Sequence, residues 1–284
     1  MPEDPAMPRD TLQESARYLE RLGYAAPPPP TLATLAELQA RHTRVFPFET
    51  LSCLLRQPVP IDLPALEEKI LHDGRGGYCY ELNLLYQALL RHLGYTVRAI
   101  SGRVVMGGPE DAWTARSHLL ALVTVDGDDY ISDVGFGRLV PTVPLRLEDR
   151  QPQPTPLETF QIGVQDDGYM LRAQVNGVWR ALYRFDTQRQ EAVDFEMGNW
   201  YVSTHPDSPL LGQLVVARCG DGHRKTLNNG SYGVHRPGAI SERRQLTDAD
   251  AVLALLRDEF DLALPAHPEL RTAIARRLAP SATR

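Results

Sequence analysis

Cysteine is scarce: Cys53, Cys79 and Cys219 are the only three in 284 residues. Odd in number and far apart, they exclude a disulfide framework and lack the paired spacing of a zinc knuckle. No apolar run is long enough to span a bilayer. Met1 to Asp10 carries acids and prolines where a secretory signal would place basic and then apolar residues. A cytoplasmic protein is the expectation. Positive charge is also short: a net charge of −6 and a pI near 5.8 argue against a general nucleic-acid binder, yet leave room for a local basic pocket that takes an anionic cofactor. Internal repeats are absent, and so is low complexity beyond the stiff connector Pro27 to Pro30.

The remainder is an ordinary globular composition, 43% hydrophobic and 23% charged, and the length suits two or three packed subdomains. Up to about residue 95 the spacing predicts helices: Thr11 to Gly23, Thr34 to His42 with a Thr34/Glu37 capping box, Pro64 to His72, and a strongly amphipathic one from Cys79 that Gly94 ends. From Thr96 the pattern turns to strands, with a hairpin across His118 to Gly137 and further strands at Phe160 to Val164, Tyr169 to Val175 and Val178 to Phe185. A small antiparallel barrel over residues 96–204 follows. Residues 205–284 hold a strand at Leu214 to Arg218, an Asn228-Asn229-Gly230 turn and a helix capped by Thr247, which makes a mixed third unit.

The most informative segment is Arg75-Gly76-Gly77-Tyr78-Cys79-Tyr80-Glu81-Leu82-Asn83. Its glycines permit unusual backbone angles, and a cysteine in the first turn of a helix meets unpaired N–H groups that favour thiolate. The competing reading is a small apolar residue packed beneath the helix. The hairpin supplies a partner. Asp126-Gly127 suits a type I′ turn pairing Val125 with Asp128, so opposed residues have numbers that sum to 253 and Asp133 faces Leu120. His118 and Asp133 then become diagonal neighbours on one face, roughly 7–8 Å apart at the backbone. A histidine with a carboxylate behind it is what a cysteine nucleophile needs, although each residue alone also reads as structural. Such a triad does not by itself choose between hydrolysis and transfer.

Five segments together resemble a known family: Val45-Phe46-Pro47-Phe48-Glu49-Thr50-Leu51, the cysteine block, Ser117-His118-Leu119-Leu120, Ser132-Asp133-Val134-Gly135-Phe136-Gly137, and Asn199-Trp200-Tyr201-Val202-Ser203-Thr204-His205-Pro206. In this order they are similar to the signature blocks of the arylamine N-acetyltransferases, over about Thr11 to Phe260. The resemblance implies an α+β fold: a helical N-terminal domain, an antiparallel β-barrel, a C-terminal α/β lid and a core like that of papain-type thiol enzymes. It implies Cys79, His118 and Asp133 as the triad. The implied reaction is a two-step exchange from acetyl-CoA through acetyl-cysteine to an arylamine, hydrazine or N-hydroxyarylamine, with no metal.

By the same resemblance Phe48 lies near the acceptor, and Val104, Ser117, Phe136 and Gly137 line the cleft. On their own chemistry Phe48 and Phe136 suit a flat acceptor or the core. Gly137 suits either close approach of a pantetheine arm or a strand end. Arg75 and Glu49 suit a buried ion pair bracing the cysteine loop. Gly107-Gly108 is a weak phosphate signal, and oxyanion donors are expected among the backbone N–H groups of Cys79 and Tyr80. Thr50, Ser117 and Leu210 depart from the family's usual asparagine, threonine and aromatic. The rivals are an amide synthase of polyketide biosynthesis and a thiol hydrolase on the same triad.

Overall fold

A computed structural model describes residues 11–165 and 168–278, so the Met1 to Asp10 segment lies outside the described residues. The chain opens with α1 (Ser15–Arg21) and α2 (Leu32–Val45), a two-residue strand β1 (Phe48–Glu49), α3 (Leu51–Leu54) and α4 (Leu63–Leu66). A π-helical stretch, Glu67–His72, follows α4 directly, and α5 (Cys79–His92) completes the helical part. Gly23 and Gly94 sit just past helix ends at φ +80° and +92°, where L side chains are strained. The cap of α2 is Thr31, not Thr34: Thr31 is extended after the prolines and its hydroxyl accepts from Thr34 N at 3.2 Å.

The barrel consists of β2 (Thr96–Val104), β3 (Arg116–Val125), β4 (Asp128–Ser132), β5 (Leu145–Arg146), β6 (Gln153–Pro154), β7 (Thr159–Gln165), β8 (Gly168–Val175) and β9 (Val178–Phe185). Its strand order is β5-β4-β3-β2-β9-β8-β7-β6. The two end strands meet through one side chain, Gln153, which accepts from Arg146 N at 2.8 Å and donates to Arg146 O at 3.0 Å, so the barrel is nearly closed.

Beyond it come α6 (Ala192–Thr204), β10 (Val215–Gly220), β11 (His223–Asn228), β12 (Ser231–His235), β13 (Glu242–Gln245), α7 (Ala249–Asp258) and α8 (Leu270–Leu278). The second sheet runs β1-β10-β11-β12-β13, so the early strand β1 supplies its edge. The cap of α7 is Asp248 rather than Thr247, its carboxylate accepting from Ala251 N at 2.8 Å. Helices α6 and α8 are additions to what the sequence pattern predicts.

Strand β3 is the spine of the molecule because both of its faces are buried. Leu119, Ala121 and Val123 pack against the helices, while Leu120 and Leu122 alternate into the barrel interior. A third core joins Leu51 and Leu54 of α3 to α7, α8 and the second sheet. Among the described residues no helix is long and apolar enough to cross a membrane.

Candidate active site

The diglycine segment is extended and lies along β1: Glu49 N donates to Gly77 O at 2.9 Å and Gly77 N to Pro47 O at 3.3 Å. Neither glycine has a positive φ, which corrects the expectation of unusual backbone angles. Both are required by space instead. A Cβ on Gly76 would sit 2.0 Å from Pro47 O, and one on Gly77 would sit 2.7 Å from Glu81 Cβ. Four charged side chains, three of them buried and Lys69 partly so, brace this segment. Arg75 binds Glu49 Oε1 through Nε (3.0 Å) and Nη2 (2.6 Å), while Lys69 binds Glu81 Oε1 at 2.5 Å and lies 3.7 Å from Glu49. Glu81 Oε2 in turn accepts from Tyr78 N at 3.0 Å, tying the charges to the residue before the cysteine. Burial, against the pull of Lys69, holds the Glu81 carboxyl above its ordinary range. Lys69 and Glu81 join the predicted Arg75–Glu49 pair without any sequence signal of their own.

Cys79 is therefore delivered as the first residue of α5, 6% exposed, with Sγ 3.6 Å from the Ser117 carbonyl on β3. The β3–β4 hairpin has the expected register, Val125 opposite Asp128 through Ala121 opposite Ser132, with Asp126 and Gly127 at φ 52° and 87°. It brings His118 Nε2 to 2.7 Å from Asp133 Oδ2. The other ring nitrogen, Nδ1, is not engaged by the carboxylate, and Cys79 is among the neighbours that raise the imidazole's basicity. Burial alone would lower the His118 pKa. The Asp133 charge and hydrogen bond, with Cys79, overcome that and raise it to about 10. Burial likewise pushes Asp133 upward, but His118, Asn83 and Gly135 N hold it below the ordinary carboxylate range.

Asp133 is held by four donors. Oδ1 accepts from Asn83 Nδ2 at 3.0 Å and Gly135 N at 2.8 Å, and Oδ2 accepts from His118 and from the Tyr183 hydroxyl at 3.1 Å. Asn83 lies one helical turn beyond Cys79, also donates to Leu119 O (2.6 Å) and accepts from Val134 N (3.0 Å), so it locks α5 to the strand and loop that carry the other two groups. The i,i+4 spacing from Cys79 was a usable signal for Asn83. Tyr183 had none.

The remaining expected residues fall around this array. Phe136 packs 5.1 Å from the His118 ring and 4.9 Å from Tyr183, which itself lies 4.8 Å from His118. Val104 is half-buried in the barrel core opposite Tyr183. Gly137, at φ +78°, has the backbone conformation that disfavours an L side chain, and a Cβ there would crowd the Phe48 ring at 3.2 Å. Phe48 and Gly137 border a cavity of only about 10 Å³, so in this state Phe48 is packed into the core. Thr50 ties β1 to the second sheet, donating to Gln213 O at 2.7 Å and accepting from Val215 N at 2.9 Å. Leu210 packs at the edge of the helical core. Asn199 of α6 accepts from the Tyr78 hydroxyl and donates to Val59 O at 2.8 Å, which fixes the last of the five segments against the cysteine block. Cys53 and Cys219 are buried thiols whose pKa values burial pushes up to about 12 and about 11. No group of three or more His, Cys, Asp or Glu side chains among the described residues is arranged to hold a metal.

A sequence profile of the N-acetyltransferase family matches residues 31–268. The chain belongs to the arylamine N-acetyltransferase family. The family's Mycolicibacterium smegmatis member is 41% identical over 251 residues, covering 87% of this chain and 91% of that protein. A crystal structure of a Mycobacterium smegmatis enzyme with one cysteine replaced by glutamine superposes with a TM-score of 0.89 at 38% identity, over 93% of this chain and 99% of that one. The Mycobacterium marinum enzyme in complex with CoA superposes with a TM-score of 0.86 at 39% identity, over 93% and 97%. The chain is thus an acyltransferase of this family, with the family's helical part, barrel, C-terminal α/β layer and papain-like core.

Proposed function

We propose that this protein transfers acetyl groups from acetyl-CoA to arylamines, hydrazines and N-hydroxyarylamines through an acetyl-Cys79 intermediate. The carrying observation is the array in which Cys79 starts a helix with Sγ 3.6 Å from the Ser117 carbonyl, and Asp133 holds Nε2 of the next residue, His118, at 2.7 Å, which leaves Nδ1 unengaged by the carboxylate. Residues 1–95 supply the nucleophile, 96–204 the imidazole and carboxylate, and 205–284 the lid.

Cys79 thiolate attacks the thioester carbonyl, and the C–O π pair moves onto oxygen. Backbone N–H groups at the start of α5, Cys79 and Tyr80, are the donors we assign to that oxyanion. Collapse expels the CoA sulfur, which takes its proton from the His118 imidazolium. The acceptor amine then attacks acetyl-Cys79, His118 removes the amine proton, and the Cys79–S bond to the acetyl carbon breaks to regenerate thiolate beside imidazolium. Asp133 stays ionised and keeps Nδ1 aimed at sulfur. Phe48, Val104, Ser117, Phe136 and Gly137 are the residues we assign to the walls of the substrate path.

The test is CoA release from acetyl-CoA with and without an aromatic hydrazine, combined with peptide mass spectrometry of the enzyme mixed with acetyl-CoA alone. Acceptor-dependent release and a single acetyl group on Cys79 are expected. Full-rate release without acceptor would identify a hydrolase, and absence of acetyl-Cys79 would remove the two-step route.

A further inference from the structure

The end of β3 that carries His118 is held by a helix where the sheet would otherwise continue. Strand β4 pairs with β3 only from Val125 back to Ala121, and among the described residues no strand takes over that side beyond it. The start of α5 fills the place. Asn83 donates to the Leu119 carbonyl at 2.6 Å, Cys79 Sγ approaches the Ser117 carbonyl at 3.6 Å, and the Tyr80 hydroxyl donates to the Arg116 carbonyl at 3.2 Å. Carbonyls along a regular strand point alternately to its two sides, so those of Ser117 and Leu119 share a side and that of Arg116 belongs on the other. It joins them because the strand is irregular here: Gly102 of β2 faces His118, the next residue, Arg103, faces Arg116, and Ser117 is left over as a bulge.

The bulge matters because of what hangs from it. The Ser117 carbonyl and the His118 nitrogen belong to one planar peptide unit, so the peptide that meets the Cys79 sulfur also carries the imidazole. A bulged residue is unpaired in the ladder, and Tyr80 supplies a hold one residue away. Room for that hold comes from α6. A Cβ on Gly198 would lie 2.0 Å from the Tyr80 hydroxyl oxygen, 2.9 Å from its Cζ and 3.4 Å from the Arg116 carbonyl oxygen. Glycine inside a helix weakens it, so its place at this contact is explained by the hydroxyl it admits. The helix is anchored at the same point: Asn199, next after Gly198, accepts from the Tyr78 hydroxyl and donates to Val59 O at 2.8 Å. Tyr80 itself is 1% exposed, and burial together with the neighbouring Cys79 pushes its pKa up, so the hydroxyl stays a donor.

We propose that Tyr80 is a positioning residue for acyl transfer: its hydroxyl, admitted by Gly198, pins the Ser117 bulge and so fixes the separation of Cys79 and His118. It acts through the backbone of β3 and not on the acyl group. This rests on Cys79 and His118 being the reacting pair.

The test compares the full-length wild type with Tyr80→Phe, Gly198→Ala and the double variant. Tyr80→Phe keeps the ring and removes the hydroxyl. The maximal rate of acetyl-Cys79 formation is expected to fall about tenfold, the weight of one buried hydrogen bond, with KM for acetyl-CoA nearly unchanged. The pH profile of Cys79 alkylation by iodoacetamide is expected to move to higher pH, since a thiolate displaced from the imidazolium is less favoured. Gly198→Ala is expected to slow acetylation at least as much by driving the hydroxyl off the Arg116 carbonyl. The double variant is expected to match Tyr80→Phe within about twofold, because the atom at 2.0 Å is gone and the two losses do not add. Additive losses, a raised KM with an unchanged maximal rate, or a Tyr80→Phe enzyme less stable to urea yet wild-type in rate and alkylation profile would each overturn the positioning role. If Gly198→Ala does not fold, the alkylation profile of Tyr80→Phe decides alone. Failure of the wild type to form acetyl-Cys79 would instead overturn the reading of the reaction, while the alkylation profiles would still show whether Tyr80 sets the pair.

Discussion

Tyr183 and His118 share one oxygen: the tyrosine hydroxyl donates to Asp133 Oδ2 at 3.1 Å and the imidazole Nε2 meets the same atom at 2.7 Å. The Tyr183 ring also packs 4.8 Å from the imidazole, so one side chain both steadies the base and helps keep its carboxylate ionised. Tyr183→Phe retains the packing and removes one donor. Acetyl-enzyme formation is expected to fall about tenfold, the effect of one hydrogen bond to a charged group. Because the carboxylate loses a donor, the acid limb of the acylation rate, where Asp133 takes up its proton, is expected to move to higher pH. A rate loss with an unmoved acid limb would reduce Tyr183 to a packing residue.

Asp133→Asn tests the carboxylate itself. The amide keeps an oxygen for Asn83 and Gly135 N but removes the charge that holds the imidazolium. A fall in acetyl-enzyme formation of about 10³-fold or more is expected, by analogy with neutralised triad carboxylates. An Asn variant that folds, acylates at the wild-type rate and alkylates with the same pH profile would make Asp133 a structural strand-end residue.

The register joining His118 to Asp133 was legible because a two-residue Asp-Gly turn is a local feature with one favoured geometry, and the pairing Val125 to Asp128 follows from it. Tyr183 was not legible. Its strand reaches the site only through a pairing with β2, Val104 opposite Tyr183, across some eighty residues of intervening chain that leave no local trace. Helix α6 was hidden for a different reason: Val193, Met197 and Trp200 are exposed, so its apolar residues do not mark a single buried face. The glycines of the cysteine block were found, but their reason was not. Gly76 answers to the Pro47 carbonyl 29 residues earlier, a tertiary contact that backbone preference cannot report.

That contact carries its own expectation. Gly76→Ala requires β1 or the cysteine segment to shift, since the Cβ would sit 2.0 Å from the backbone oxygen of Pro47 and 3.1 Å from Glu49 Cγ. A loss of about 1–3 kcal/mol in urea unfolding is expected, the range for overpacking, with a larger proportional loss of acylation because Cys79 is displaced. Alanine at Cys53 or Cys219 is expected to leave the acylation rate largely intact, because neither thiol contacts His118 or Asp133. If Gly76→Ala matches the wild type in both stability and acylation, the close packing of this segment does not position the nucleophile.

The raised basicity of His118 makes stability depend on pH in a definite direction. Its ordinary pKa of 6.5 rises to about 10 in the folded protein, so the folded state binds this proton more tightly than the unfolded chain. Below pH 6.5 both states are protonated and the stabilisation is fully present; between 6.5 and about 10 only the folded state keeps the proton, and the contribution declines until it is lost above about 10. Asp133 bounds the acid side, because a carboxylate held below its ordinary 3.8 stabilises above that pH and loses its contribution as pH falls through the depressed value. The measurement is the urea midpoint of wild type against His118→Gln over this range. The wild-type advantage is expected to be greatest between about pH 4 and 6.5 and to shrink steadily toward pH 10. An advantage that stays flat across pH 6.5 to 10 would mean that His118 rests neutral, with Asp133 orienting it and no imidazolium waiting beside Cys79.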